Sequence, residues 1–296
     1  MNFSLKTCCR LLVVIFAVSL IGAADTPVPT PQSASRMLDL GFRQMYNLQF
    51  DEAHKTFAEA HQQFPADPMV PVSNAAAYLF AEFDRLHVLE SELFVDDSAF
   101  ESRGKRTPDP RVKQAFDAEM QQANTLVNAV LQKNPNDSNA LFAKVMSLGL
   151  MGDYTALIEK RDLKGLSYIK EGRGLAERLL QIDPTCYDAY IAVGVENYLL
   201  SLKPAPVRWF LHMTGAQTDK ETGLQKLRIT ASKGHYLLPY ARMLLAVAAL
   251  RDKRHEEARN ILEGLSREFP HNHLYATELA KLKPPAGGPS QSFGTN

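Results

Sequence analysis

Residues 34–67 read ASRMLDLGFRQMYNLQFDEAHKTFAEAHQQFPAD, and the spacing of seven residues within them decides the fold. Counted as one unit, Leu40, Gly41, Phe50, Ala53, Phe57, Ala60 and Pro65 stand at positions 7, 8, 17, 20, 24, 27 and 32. Small residues at 8, 20 and 27 let two helices approach closely, and the larger apolar positions fill the space between them. The proline at 32 ends the second helix, because it lacks an N–H and clashes with the preceding turn. The stretch therefore predicts a helix-turn-helix unit.

The C-terminal part repeats the pattern, with Leu245, Ala246, Ala258, Leu262 and Pro270 at positions 7, 8, 20, 24 and 32 of a unit covering 239–272. The unit-closing prolines are Pro65, Pro135, Pro184 and Pro270, separated by 70, 49 and 86 residues, none of them a multiple of 34. Counting forward from each proline gives a good first helix (Ala75 and Tyr78; Gly152 and Tyr154; Gly194). Counting backward gives a good second one (Ala123, Ala176, Ala231). Each insertion then falls between the two helices of units 2, 3 and 4, which places all three on one edge of a stacked array. Five helical pairs are expected at roughly 34–67, 68–137, 138–186, 187–238 and 239–272, with Leu274–Leu282 as a cap over the last apolar face. Residues 25–33 read as a flexible lead-in and 284–296 as a disordered tail, so the folded body is expected over 34–283.

This pattern resembles the tetratricopeptide repeat. The resemblance implies an all-α fold, a right-handed superhelical solenoid of about five such hairpins, and a role in binding proteins or peptides. Residues 187–272 also resemble a divergent tetratricopeptide branch that includes the TTC39-like and Iml2-like families. Gly194, Tyr198, Pro204, Gly215, Asp219, Gly223, Leu224, Leu227, Ala231 and Gly234 carry that likeness, which implies no catalytic residues.

Composition agrees with a helical, globular chain: 45% of residues are hydrophobic, and Lys+Arg and Asp+Glu both number 33. Such a balance gives no reason to expect a nucleic-acid partner. The first residues differ in kind. Lys6 and Arg10 precede an apolar run from Leu11 to Ala24 that ends in Gly22-Ala23-Ala24, the charged start, short apolar middle and small-residue end of a secretory signal. Residues 1–24 are thus expected to be removed, leaving a periplasmic or extracellular protein. At 14 residues the run is short for a membrane span, which needs about 20; membrane association is expected only if it stays uncut. Cleavage would remove Cys8 and Cys9 and leave Cys186, which cannot form an internal disulfide alone and reads as a small buried side chain.

Two surfaces are candidates for partner binding. In a tetratricopeptide array, positions 2, 5, 9 and 12 of each unit face a concave groove. Phe42, Met45, Phe142, Met146, Tyr198, Tyr240 and Met243 stand out there, with Ser35, Leu38, Val72, Ala76, Leu79, Asn139, Asp188, Ile191, Val195, Val247 and Leu250. Almost no basic residue falls on these positions, so an apolar groove for a peptide or partner helix is expected unless the array itself fills it. The second candidate is the insertion over 201–220, where Trp209, Phe210 and Met213 could anchor an interface, dip into a membrane surface, or pack back onto the array.

Other features read as structural. Asp96 and Asp97 lack the glycine-turned loop of a calcium site, and His54, His61, His271 and His273 lack zinc spacing. Gly172-Arg-Gly174 has neither a third glycine nor a preceding strand. No motif requires a metal or cofactor. The expectation is an exported, non-catalytic scaffold. The rivals are an exported hydrolase or transferase whose site is formed by the insertions, with His87 or His212 among converging acids, and a membrane-tethered assembly factor with residues 11–24 uncut.

Overall fold

The structure, a computed structural model, describes residues 31–90, 95, 96, 98, 102–202 and 219–282. The expected signal (1–24), the tail (284–296) and the insertion residues Trp209, Phe210, His212 and Met213 lie outside the described residues. The protein is all-α: eleven helices and no strand occur among the described residues.

In chain order the helices are α1 (Pro31–Tyr46), α2 (Phe50–Gln63), α3 (Met69–Arg85), α4 (Pro110–Lys133), α5 (Ser138–Asp153), α6 (Asp162–Ile182), α7 (Tyr190–Ser201), α8 (Lys220–Lys233), α9 (Leu238–Arg251), α10 (His255–Glu268) and α11 (His273–Lys281). Helix α1 starts inside the expected lead-in, on Pro31, since proline suits the first helical position, where an N–H would have no partner. Asp109, Asp137 and Asp219 cap α4, α5 and α8 by accepting from backbone N–H groups two or three residues on.

Each helix packs on the next along the chain. Where two helices cross, small residues set the distance. A Cβ on Gly41 of α1 would overlap the ring of Phe57 in α2. On Gly223 of α8 it would stand 2.7 Å from the backbone N of Tyr198 and 3.0 Å from the carbonyl of Gly194, both in α7. The one helical run among the described residues that is long and apolar enough to cross a membrane, Ser138–Ile158, is an interior element that packs on α3, α4 and α6 and has 67% of its most apolar window buried.

Four of the five pairs end their first helix in the same way. Leu48, His87, Lys160 and Lys253 all take left-handed backbone (φ 60, 54, 55 and 58°). After three of them the next N–H returns to the carbonyl five residues back: Gln49 to Gln44 (2.9 Å), Val88 to Phe83 (2.9 Å) and Arg254 to Ala249 (2.8 Å). This is the Schellman closure that satisfies orphan carbonyls at a helix end. In the third pair a π turn over Tyr154–Ile158 takes in one more residue, and the bond runs from Arg161 to Thr155 instead (2.9 Å).

The extra residues of units 2 and 3 meet. Arg103, returning from the 86–109 connection, is buried and donates through Nη2 to the carbonyl of Ala156 (2.9 Å) and to Asp162 Oδ1 (2.8 Å). The N–H of Arg106 donates to Ile158 O (3.1 Å). At the root of the same connection the buried carboxylate of Glu82 holds Arg85 (2.6 and 2.9 Å) and the N–H of Asp109 (2.8 Å).

Glycine packing gives a paired prediction. Gly223→Ala should destabilise the protein by about 1–2 kcal/mol, since the backbone of α7 cannot yield to the new methyl and overpacking outweighs the helical gain. Gly264→Ala in α10, where a Cβ meets nothing within 4 Å, should stabilise by up to about 1 kcal/mol. Thermal unfolding of the two variants decides it: shifts of the same sign would refute the packing account.

Candidate partner-binding surfaces

The first helices carry the expected apolar positions, and the structure places most of them inside. Phe42, Met45, Phe142, Met146 and Tyr198 are between 1 and 6% exposed. Leu38, Val72, Ala76, Leu79 and Ile191 are buried as well, while Tyr240 and Met243 are partly buried and Asn139 is exposed. What covers the N-terminal positions is the C-terminal part of the chain. The Tyr236 ring stacks on Phe42 at 4.9 Å between centroids, Phe269 lies 5.6 Å from Tyr46, and Tyr240 meets Phe80 edge-on at 5.6 Å. One core cluster accordingly runs from Leu38 in α1 to Tyr275 in α11. Between these ends a cavity of about 40 Å³ remains, lined by Met45, Phe80, Met243, Leu274, Tyr275 and others. It has room for about two or three waters.

Polar contacts fix this closure. Tyr46 Oη donates to Tyr236 O (3.0 Å), Asn272 Nδ2 to Tyr46 O (2.9 Å), and the N–H of His271 to Asn47 Oδ1 (3.3 Å). His235 pairs with Asp39 at 2.6 Å and His273 with Asp84 at 3.7 Å.

The segment that brings Tyr236 onto α1 is held by Asp188. Its carboxylate, 5% exposed, accepts from the N–H groups of His235 (2.8 Å), Tyr236 (2.9 Å) and Leu237 (3.1 Å), so a residue of the fourth pair organises the entry to α9. A Cβ on Gly234 would stand 2.6 Å from Asp188 Oδ1, which is why this turn carries a glycine. Burial raises the Asp188 pKa, against the lowering effect of the three N–H groups and of His235. The spacing of the sequence places Asp188 among the groove positions as their one charged residue; the structure turns it to the backbone of 235–237 instead.

Asp153, at the end of α5, accepts from Tyr240 Oη (3.2 Å) and ties α5 to α9. Burial pushes its carboxyl up to about 7, with the Tyr240 hydroxyl pulling the other way. Nothing in the spacing of the sequence pointed to it.

Away from the closure the candidates separate. His87 is largely exposed and faces Glu90 at 3.3 Å. His54 donates through Nδ1 to Asn74 Oδ1 (2.6 Å), and Asn74 Nδ2 donates to Glu119 (2.7 Å), a polar chain that joins α2, α3 and α4. Asp96 accepts from the N–H and hydroxyl of Ser98 (2.8 and 2.7 Å). No group of three or more His, Cys, Asp and Glu suited to a metal occurs among the described residues. Burial pushes the Cys186 thiol up to about 12, so it is a poor nucleophile at neutral pH. Exposed large apolar side chains among the described residues are Leu40, Leu163, Ile182 and Leu199, and two of these border insertions: Leu163 beside the Arg103–Asp162 clasp and Leu199 before the 202–219 connection.

No family model matches this chain, and neither does any curated protein or solved structure.

Two predictions follow from the closure. Asp188→Asn keeps the shape but turns one acceptor into a donor facing N–H groups, and should cost about 2–3 kcal/mol. Hydrogen exchange should then quicken over 31–46 and 234–240 before the rest of the molecule; uniform quickening would show that Asp188 does not hold the closure. For Asp153 the raised native pKa means that the folded state keeps a proton the unfolded chain loses. Its contribution therefore falls as pH rises from about 4 to about 7 and is constant above. Asp153→Asn should match the parent's Tm at pH 4 and exceed it at pH 8; parallel Tm curves would refute a buried, proton-holding carboxyl.

Proposed function

We propose that the chain is an exported, non-catalytic interaction scaffold, a right-handed superhelical solenoid of about five tetratricopeptide-type pairs. It engages a protein or peptide along the edge where the insertions gather. The repeat reading is supported by the residue spacing of 34–67 and 239–272, the glycine-set helix crossings, and the left-handed stop shared by four of the five first helices. Export is supported by the charge and hydrophobicity pattern of residues 6–24.

The observation that carries the edge over the concave face is the occupancy of that face. Its aromatic positions are spent on the protein's own last helices, through Phe42–Tyr236, Tyr46–Phe269 and Phe80–Tyr240. Exposing them to a partner would first require separating α9–α11 from α1 and α3, at the cost of several buried aromatic contacts. The edge needs no such opening: it offers Leu163 and Leu199 to solvent on a framework fixed by the Arg103 clasp. Recognition there acts by preformed shape, with little ordering on binding.

Crosslinking capture from the native envelope fraction tests this, comparing the parent with Leu199→Asp and with a chain lacking 203–218, each checked for helix content. Loss of one crosslinked partner in both variants is expected. A partner kept by both, but lost when Phe142 or Phe42 is changed to Ala in a chain that stays folded, would move recognition to the concave face.

A further inference from the structure

One corner of the insertion edge concentrates positive charge in a chain whose formal net charge is zero. The contacts of Arg103 and Arg106 with Ala156 O and Ile158 O lay residues 103–106 against the end of the α5 run. Lys105 and Arg106 thereby come beside Lys160, Arg161 and Lys164, of which all but the half-buried Arg106 are exposed. Among the described residues of the corner the carboxylates are engaged: Asp162 by Arg103 (2.8 Å) and Glu159 by Arg161 (3.5 Å). Lys164 lies 4.5 Å over the Tyr168 ring, while Lys105, Arg106 and Lys160 have no ion pair with a described residue.

Two further observations point outward from the same place. Leu163 stands among these cations with 86% of its surface exposed, the most of any large apolar side chain among the described residues. The first turn of α6, a helix of 21 residues, begins here without a side-chain cap, so its N–H groups add partial positive charge to the corner.

We propose that this corner docks the protein on an anionic lipid surface. Cations around a projecting apolar side chain are the arrangement that pairs with lipid phosphates while one residue enters the acyl boundary. Projection decides between lipid and protein. A folded acidic partner would have to supply a socket matched to Leu163, whereas a fluid bilayer accepts an isolated side chain wherever it lands. The docking is independent of residues 11–24 and of the partner assigned to the edge, so it provides a route to a membrane for a chain whose leader has been removed.

The test is vesicle co-sedimentation of the chain from Asp25, a cut that removes none of the contacts described above. Phosphatidylcholine vesicles are compared with vesicles in which a third of the lipid is phosphatidylglycerol. Binding to the anionic vesicles alone is expected, weakening as salt is raised and unaffected by soluble glycerol phosphate. The double change Lys160→Glu/Lys164→Glu should weaken it about ten-fold or more, at roughly a factor of five per lost cation before added repulsion. Leu163→Asp should also weaken it, while Lys226→Glu/Lys233→Glu, with the same change in total charge elsewhere on the surface, should leave it unchanged. Equal binding to both vesicle types, an equal loss in the control pair, or no vesicle binding would each overturn the proposal. So would binding of a polyglutamate peptide through Lys160 and Lys164 without vesicle binding, since the partner would then be an acidic protein. Retained vesicle binding with no crosslinked protein partner would sink the scaffold reading and leave this one standing.

Discussion

A single buried carboxylate sets the turn that brings the C-terminal helices onto α1. Asp188 reaches from the start of the fourth pair to three consecutive backbone N–H groups at His235, Tyr236 and Leu237, and so fixes the chain at the point where it turns into α9. Backbone N–H groups at a buried helix entry must find acceptors. A carboxylate that accepts three of them is worth the cost of its own desolvation, provided no side chain competes for its space, and Gly234 leaves that space open. With this turn set, Tyr236 can stack on Phe42, and α9 can be apolar nearly all round because it is enclosed between the two core clusters.

The consequence is an interior in which the first and last described helices share one core. Tyr46, Phe80, Tyr240 and Phe269 interlock there, and aromatic pairs of this geometry add to the stability gained from burial. Asp153 and Tyr240 place one titratable contact in the same interior. Its position ties the packing of α5 on α9 to pH, with the closure best held where the carboxyl keeps its proton.

The connections follow a different logic. The left-handed stops at Leu48, His87, Lys160 and Lys253 each follow the end of a helical run. Arg103 shows how added length becomes ordered structure: a guanidinium with rigidly forked donors joins one connection to the carbonyl and carboxylate of the next. Charge then collects at Lys105 and Lys160, which sit on connections, and at Lys164 in the exposed first turn of α6.

The sequence by itself determined that the chain is helical and where several of its helices stop. These depend on short-range rules: prolines that end helices, small residues at crossings, and an apolar period that two adjacent helices must bury together. Phe42 and Tyr240 were legible as inward-facing for the same reason. Only the tertiary structure decided what faces them. Tyr46 and Asn272 lie 226 positions apart, and no local pattern records that one donates to the backbone of the other. Asp188 read as one more groove residue and Asp153 as nothing in particular, because the worth of a buried carboxylate depends on which N–H and hydroxyl groups the fold brings within reach. That is set by how all the helices pack together, which no short stretch of sequence contains.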